Sequence, residues 1–179
     1  MLVIRKNKPC NITTNKNKAM QIDLSNIKIR EIGLDEVELL TNYRIAYLTE
    51  LQGEQSEEYQ QKLVLELNAY FKEALTENRF FAYLAELKGE ILSFGAMVIK
   101  KIPGDFNQSS YLEGDILNMF TIPGARRNGI SAMILQQLIN EAHNRGISKI
   151  SLHTSKDGEK LYRKFGFSEP VYPVLELCL

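Results

Sequence analysis

The sequence predicts one mixed α/β (α+β) domain: a mostly antiparallel sheet of about six to seven strands with helices on both faces. Three observations lead there. Two β-rich runs flank Lys88-Gly89 as a hairpin would, and strand-like and helix-like segments then alternate from residue 115 to residue 165. The length of 179 residues suffices for one sizeable core, and no linker or internal repeat marks a second domain.

The elements follow in order. Residues 1–26 read as a flexible basic tail, with Arg5, Lys6, Lys8, Lys16 and Lys18 against Asp23 alone, and the domain occupies 27–179. IKIREI (27–32) alternates apolar and charged residues as a half-buried strand does. Asp35 is placed as an N-cap, and Val37, Leu40, Ile45, Leu48 and Leu51 predict a helix over 35–51, ended by Gln52-Gly53. Ser56 caps a second helix to Thr76, whose stripe is Leu63, Leu67, Tyr70, Phe71, Ala74 and Leu75. The hairpin FFAYLAEL–Lys88-Gly89–EILSFGAMVIK comes next, then a loop over 102–112 rich in turn formers. DILNMFT (115–121) is a strand bounded by Pro123-Gly124. A helix follows with Ile130, Ile134, Leu138 and Ala142 on one face, closed by Gly146. ISKISLHT (147–154) is a strand, 157–165 a short helix, and FSEPVYPVLELCL supplies terminal strands, with Pro173 at an edge or bulge.

Composition excludes several classes. Apolar content of 44% with 25% charged residues and zero formal net charge is ordinary for a globular protein. No apolar run reaches the roughly 18–20 residues of a membrane span, and the N-terminus has no signal-like apolar core. The basic tail has no aromatic residue to stack on bases. Cys10, Cys178, His143 and His153 have no zinc-ligand spacing. The expectation is a cytoplasmic protein with unpaired thiols, no metal, and no nucleic-acid or membrane partner.

The chemistry sits in Arg126-Arg127-Asn128-Gly129-Ile130-Ser131, between a strand and an amphipathic helix. A helix N-terminus presents unpaired N–H groups and a positive dipole end, which suits phosphate. Gly129 lets the backbone approach a ligand closely, Ser131 keeps the first turn open, and Arg126 and Arg127 can donate to a diphosphate. Gly124 to Ser131 also has the spacing of a nucleotide P-loop, but Ile130 stands where that loop needs lysine, which argues against an ATPase. The loop alone fits either a diphosphate site or a glycine turn with no ligand.

The run from Asp115 to Phe167 resembles the core of the GNAT superfamily of N-acetyltransferases: a strand, R-x-x-G-x-small (Arg126, Gly129, Ser131), an apolar helix, a strand, and LYRKFGF (161–167). Residues 27–114 agree in element order without a diagnostic motif. The resemblance implies acetyl-CoA as donor, held in a gap where the strand at 115–121 splays from that at 147–154. Backbone groups of Phe120, Thr121 and Ile122 would pair with the pantetheine arm, and amides of Arg126, Arg127, Asn128, Gly129, Ile130 and Ser131 would hold the pyrophosphate. The family's Asn and Ala ahead of the helix tyrosine are Ser155 and Gly158 here; Ser155 can still hydrogen-bond the cofactor.

An amine attacks a thioester only as the free base, so the reaction asks for a base and for a proton donor to the leaving thiolate. Tyr162 matches the family's tyrosine at the departing sulfur, or else packs on the cofactor as an apolar face. A backbone N–H near Met119 or Phe120 would polarise the carbonyl. For the base, Asp115 ranks first, then Glu113 through water, then His153; each is alternatively a solvated strand-end residue. Tyr43, Arg44, Tyr47, Glu50, Glu54, Tyr70 and Phe71 on the first two helices, with the 102–112 loop, would meet the acceptor, and the net negative charge of the domain leans toward a cationic amine. The expected reaction is acetyl transfer to a primary amine of a small molecule or protein in a ternary complex. A non-catalytic acyl-CoA-binding regulatory module and a nucleotide-binding protein are the alternatives. A homodimer using segment 170–179 is open.

Overall fold

The computed structural model describes residues 22–178. Strand β1 (Lys28–Glu31) leads to helices α1 (Val37–Gln52) and α2 (Glu57–Thr76), then to β2 (Phe80–Leu87), β3 (Glu90–Pro103) and β4 (Ser110–Thr121). Helix α3 (Ile130–Asn144), β5 (Ile147–Ser151) and α4 (Lys156–Lys164) complete the order. The strands form one sheet in the order β1-β2-β3-β4-β5, antiparallel except for the parallel β4–β5 pair.

Local chemistry sets the boundaries. Glu36 reaches back to the Gly33 N–H at 3.2 Å and opens a short turn into α1. Gly53, at φ 82°, ends α1. Ser56 accepts from the Tyr59 N–H and starts α2. Lys88 and Gly89 both take left-handed backbone and close the β2–β3 hairpin, as its twist requires.

The apolar faces then define two cores, one on each side of the sheet. Helix α3 covers Phe81, Leu92 and Met97 with Ile130, Ile134 and Leu138. Helices α1 and α2 cover Phe80, Leu84, Phe94 and Phe120 with Leu40 and Phe71. Ile22 is also buried, under the α3 side, so ordered packing begins ahead of β1. The remainder of the predicted tail, residues 1–21, lies outside the described residues.

The structure corrects the sequence reading in places. The sheet has five strands among the described residues, not six or seven, because residues 167–178 join no strand ladder. Val171, Tyr172, Val174, Leu175 and Leu177 lie exposed along that segment, and Pro173 lacks a ladder donor. The 102–112 loop shrinks, since Ile102 and Tyr111 still pair across β3 and β4 and the Gly104 N–H closes the end onto Ser109 O. Strand β5 stops at Ser151, short of the expected residue 154.

Two details of β4 position the site. It pairs with β5 only from Leu112 to Asp115, so from Ile116 onward the two strands fork. A bulge also interrupts its pairing with β3, where Phe94 faces Phe120 but Ala96 faces Leu117. Gly95 sits opposite the bulge because a Cβ there would come within 2.5 Å of the Met119 sulfur and 2.7 Å of Ile134.

Candidate active site

The bulge turns Asn118 into left-handed backbone at φ 63°, a conformation that asparagine tolerates better than most residues. Leu117 and Asn118 consequently both address the α1 side, where strict alternation would separate them. Asn118 Oδ1 accepts from Nη1 of Arg44 on α1. Its Nδ2 is buried and has no partner, a condition that costs about 1–3 kcal/mol.

One turn along α1, Tyr47 sets its ring edge-on to Phe120 at 6.5 Å. The Arg44 guanidinium lies 5.8 Å from the Tyr47 ring centre. A further turn on, Glu50 meets Arg126 through both carboxylate oxygens at 2.6 Å. The spacing 44, 47, 50 is one helical face, and it runs along β4 from the bulge to the loop that follows.

Tyr162, on α4, closes the same space. It is 8% exposed and packs edge-on to Phe167 at 5.7 Å. Burial, and secondarily Tyr47 nearby, pushes its phenol up to about 12. Ser155 caps α4, its Oγ accepting from the Gly158 N–H at 3.3 Å. Gly158 is needed small: a Cβ would stand 3.3 Å from the Tyr162 ring. The departures from the family pattern at 155 and 158 thus serve the cap and the tyrosine's seat.

The loop after β4 has the form that anion binding requires. Arg127 (φ 63°) and Gly129 (φ 84°) are both left-handed, and α3 begins at Ile130. Among the described residues no group accepts from the N–H groups of residues 127–131. Asn128 spends its side chain on the loop itself, donating to the carbonyls of Ala125 and Arg126. Ser131 joins a hydroxyl chain to Thr121 and Ser93, each step 2.8 Å, which ties the start of α3 to the end of β4. Thr121 O accepts from Arg126 Nε, and the Ile122 N–H donates to Leu92 O, so the latter points at β3 rather than into the fork.

The candidate bases are placed differently. Asp115 and Glu113 share the α1–α2 face of β4 with Leu117, at the root of the fork, and each is ion-paired: Asp115 to Lys100, Glu113 to Lys149 at 2.6 Å. Three residues of strand put Asp115 about 10 Å before the bulge. His153 is exposed beyond β5. Asn118 is a functional candidate that sequence reasoning missed, marked only by an Asn inside an apolar strand; Glu50 and Arg126 were each named from the sequence, but not as a pair.

The chain has relatives among known proteins. It matches the Acetyltransferase (GNAT) family over residues 44–167. The crystal structure of a predicted acetyltransferase with acetyl-CoA from Clostridium acetobutylicum is 31% identical, with a TM-score of 0.73 over 85% of this chain and 96% of that one. A GCN5-related N-acetyltransferase from Ralstonia eutropha shares the fold at 21% identity, with a TM-score of 0.68 over 84% of this chain and 98% of that one. An uncharacterized N-acetyltransferase of Bacillus subtilis, YsnE, is 37% identical over 59 residues, which cover 30% of this chain and 39% of that protein. The chain therefore matches well under half the length of that curated relative. The strand fork, the glycine loop that opens α3 and the buried tyrosine on α4 all lie within the matched residues. The chain belongs to the GNAT acetyltransferase family.

Among the described residues no cluster of His, Cys, Asp or Glu is placed to hold a metal, and no helix is long and apolar enough to cross a membrane.

Proposed function

We propose that the protein transfers the acetyl group of acetyl-CoA to a primary amine by direct attack in a ternary complex. The observation that carries this reading is the row of unclaimed N–H groups at residues 127–131, opening beside the β4–β5 fork with Tyr162 buried at its side. Five amides at the positive end of a helix suit a diphosphate, and Arg127 has no ion pair among the described residues to hold it back. The fork leaves backbone groups of Thr121 open to an amide-bearing arm, with Arg126 giving up Thr121 O as the ligand enters.

The amine nitrogen bonds to the thioester carbon, and the carbon–sulfur bond breaks as the intermediate collapses. An N–H at the bulge, Met119 or Phe120, polarises the carbonyl. Tyr162 donates a hydrogen bond to the leaving sulfur and, with its phenol near 12 and a thiol near 8.5, keeps its own proton at neutral pH; the second proton of the attacking nitrogen passes to the sulfur as the intermediate collapses, so that the amide and the free thiol are the products. Asp115 takes the proton from the incoming ammonium through water, with Glu113 behind it. The same site serves a small-molecule amine or a protein amine, and a cytoplasmic location fits an intracellular donor.

The test is a calorimetric titration with acetyl-CoA, paired with thiol release over an amine panel. Acetyl-CoA binding with amine-dependent release supports the reading. Binding without turnover by any amine favours a regulatory acyl-CoA-binding module, and binding of ATP without acetyl-CoA overturns both.

A further inference from the structure

Arg44 stands apart from the other arginines. Arg30, Arg79, Arg126, Arg145 and Arg163 each hold a carboxylate. Arg127 is exposed in its loop. Arg44 is drawn in from solvent beneath α1, and among the described residues the groups it meets are Asn118 and the phenols of Tyr47 and Tyr70, with no carboxylate among them. A guanidinium held this way loses hydration without gaining a counter-ion, which is unfavourable unless something else supplies the negative charge. Burial pulls its proton affinity down accordingly.

The geometry also says where the missing charge goes. Nη1 is committed to Asn118 Oδ1, so Nη2 and Nε remain as a side-on pair of donors, the edge that grips a carboxylate or phosphate with two parallel hydrogen bonds. The bond to Oδ1 fixes the Asn118 amide, whose Nδ2 is a second donor, buried and unclaimed. A residue held in left-handed backbone only to leave a donor unsatisfied is a feature found at ligand sites. Tyr47 neighbours both the Arg44 guanidinium, at 5.8 Å from its ring centre, and the Tyr162 phenol, which links the pair to the candidate reaction centre.

We infer that Arg44 and Asn118 form the anchor for an anionic group on the acceptor, so that the preferred substrate is a primary amine carrying a carboxylate or phosphate a few bonds from its nitrogen. This rests on the acetyltransferase reading and reverses the lean toward a cationic amine that the domain's charge balance suggested. The anion completes the coordination of Arg44, its remaining oxygen edge faces Asn118, and the attached amine is directed past Tyr47 toward Tyr162. Amines lacking the anion leave the guanidinium uncompensated in the complex.

The experiment compares short ω-amino acids and aminoalkyl phosphates with alkylamines of matching length, using wild type and Arg44→Gln. Glutamine retains a donor for Asn118 but has no charge. Wild type is expected to favour one anionic series by about 10- to 100-fold in kcat/KM, the size of a charged hydrogen-bonded contact, and the series that wins distinguishes carboxylate from phosphate. Arg44→Gln should bring the ratio of anionic to neutral kcat/KM to within about threefold of one, whatever its absolute rates. Neutral or cationic amines matching the anionic ones in wild type would overturn the inference, as would a preference that survives in Arg44→Gln. Acetyl-CoA titration of both proteins separates this from the parent reading: failure to bind acetyl-CoA sinks the acetyltransferase assignment, whereas binding with turnover indifferent to acceptor charge sinks only the anchor. The wild-type panel decides the matter even if the variant folds poorly.

Discussion

The roles proposed for Tyr162 and Asp115 are constrained by what surrounds each side chain. With burial holding the phenol near 12, Tyr162 stays protonated across the working range, and its ionisation removes activity only as pH approaches that value. The pH profile of kcat/KM should therefore show no downturn from this group below about pH 10; a limb below that pH that vanishes in Tyr162→Phe would contradict the assignment. Phenylalanine preserves the packing on Phe167, so Tyr162→Phe should bind acetyl-CoA as wild type does and lose about 10²- to 10⁴-fold in turnover. Asp115→Asn should cost a similar factor, measured as kcat/KM from pH 6 to about 9; unchanged values over that range would move the base to Glu113. Tyr162 was legible in the sequence because LYRKFGF combines an aromatic, a glycine and a fixed spacing. Asn118 was not: a bulge needs one residue more in one strand than in its partner, and no glycine or proline marks that inside DILNMFT.

At the level of elements, helix ends were read well where end chemistry is explicit, except at Asp35, which lies inside the short turn Leu34–Glu36 and does not cap α1. Ser56, Gly53, Gly129 and Gly146 each stand at a helix end as a cap or a left-handed residue. Strand ends were read less well, because pairing partners rather than local residues set them: Tyr111 and Leu112 look like loop until β3 is seen opposite. The terminal segment failed in the other sense, its alternating apolar residues finding no neighbour. The entry to α1 supplies a pH test. Glu36 holds Arg30 at 2.7 Å and the Gly33 N–H, and the Arg30 contact first keeps its carboxyl below the ordinary range. A depressed carboxyl stabilises the fold above its unfolded pKa, and that gain is lost as pH falls through the folded value. Glu36→Gln should accordingly lower Tm at pH 7 and leave it near wild type at about pH 3; an equal loss at both would mean that shape rather than charge is at work.

For the molecule as a whole, the sheet is a partition between two cores, and the bulge in β4 is the point where both reach the site. Met119 belongs to the α3 side and Phe120 to the α1–α2 side. Gly95 opposite has room for neither a methyl nor a shift, being hemmed in by Met119, Ile134 and Leu138. Gly95→Ala should destabilise the fold by about 1–3 kcal/mol in chemical denaturation and also weaken acetyl transfer, since relief requires moving the bulge. A stability loss with intact kinetics would show that the bulge and the chemistry are independent. The fork has a further consequence, in the traffic of hydrogen between the backbone and water. Past Asp115 the amides of β4 that face away from β3 have no ladder to shelter them, so they should trade hydrogen for deuterium sooner than their neighbours facing β3. Saturating acetyl-CoA should slow that trade along residues 116–121 in particular. An equal slowing across the chain would signify only a more stable fold, whereas a local one would mean that the donor serves, while bound, as the strand the sheet leaves out.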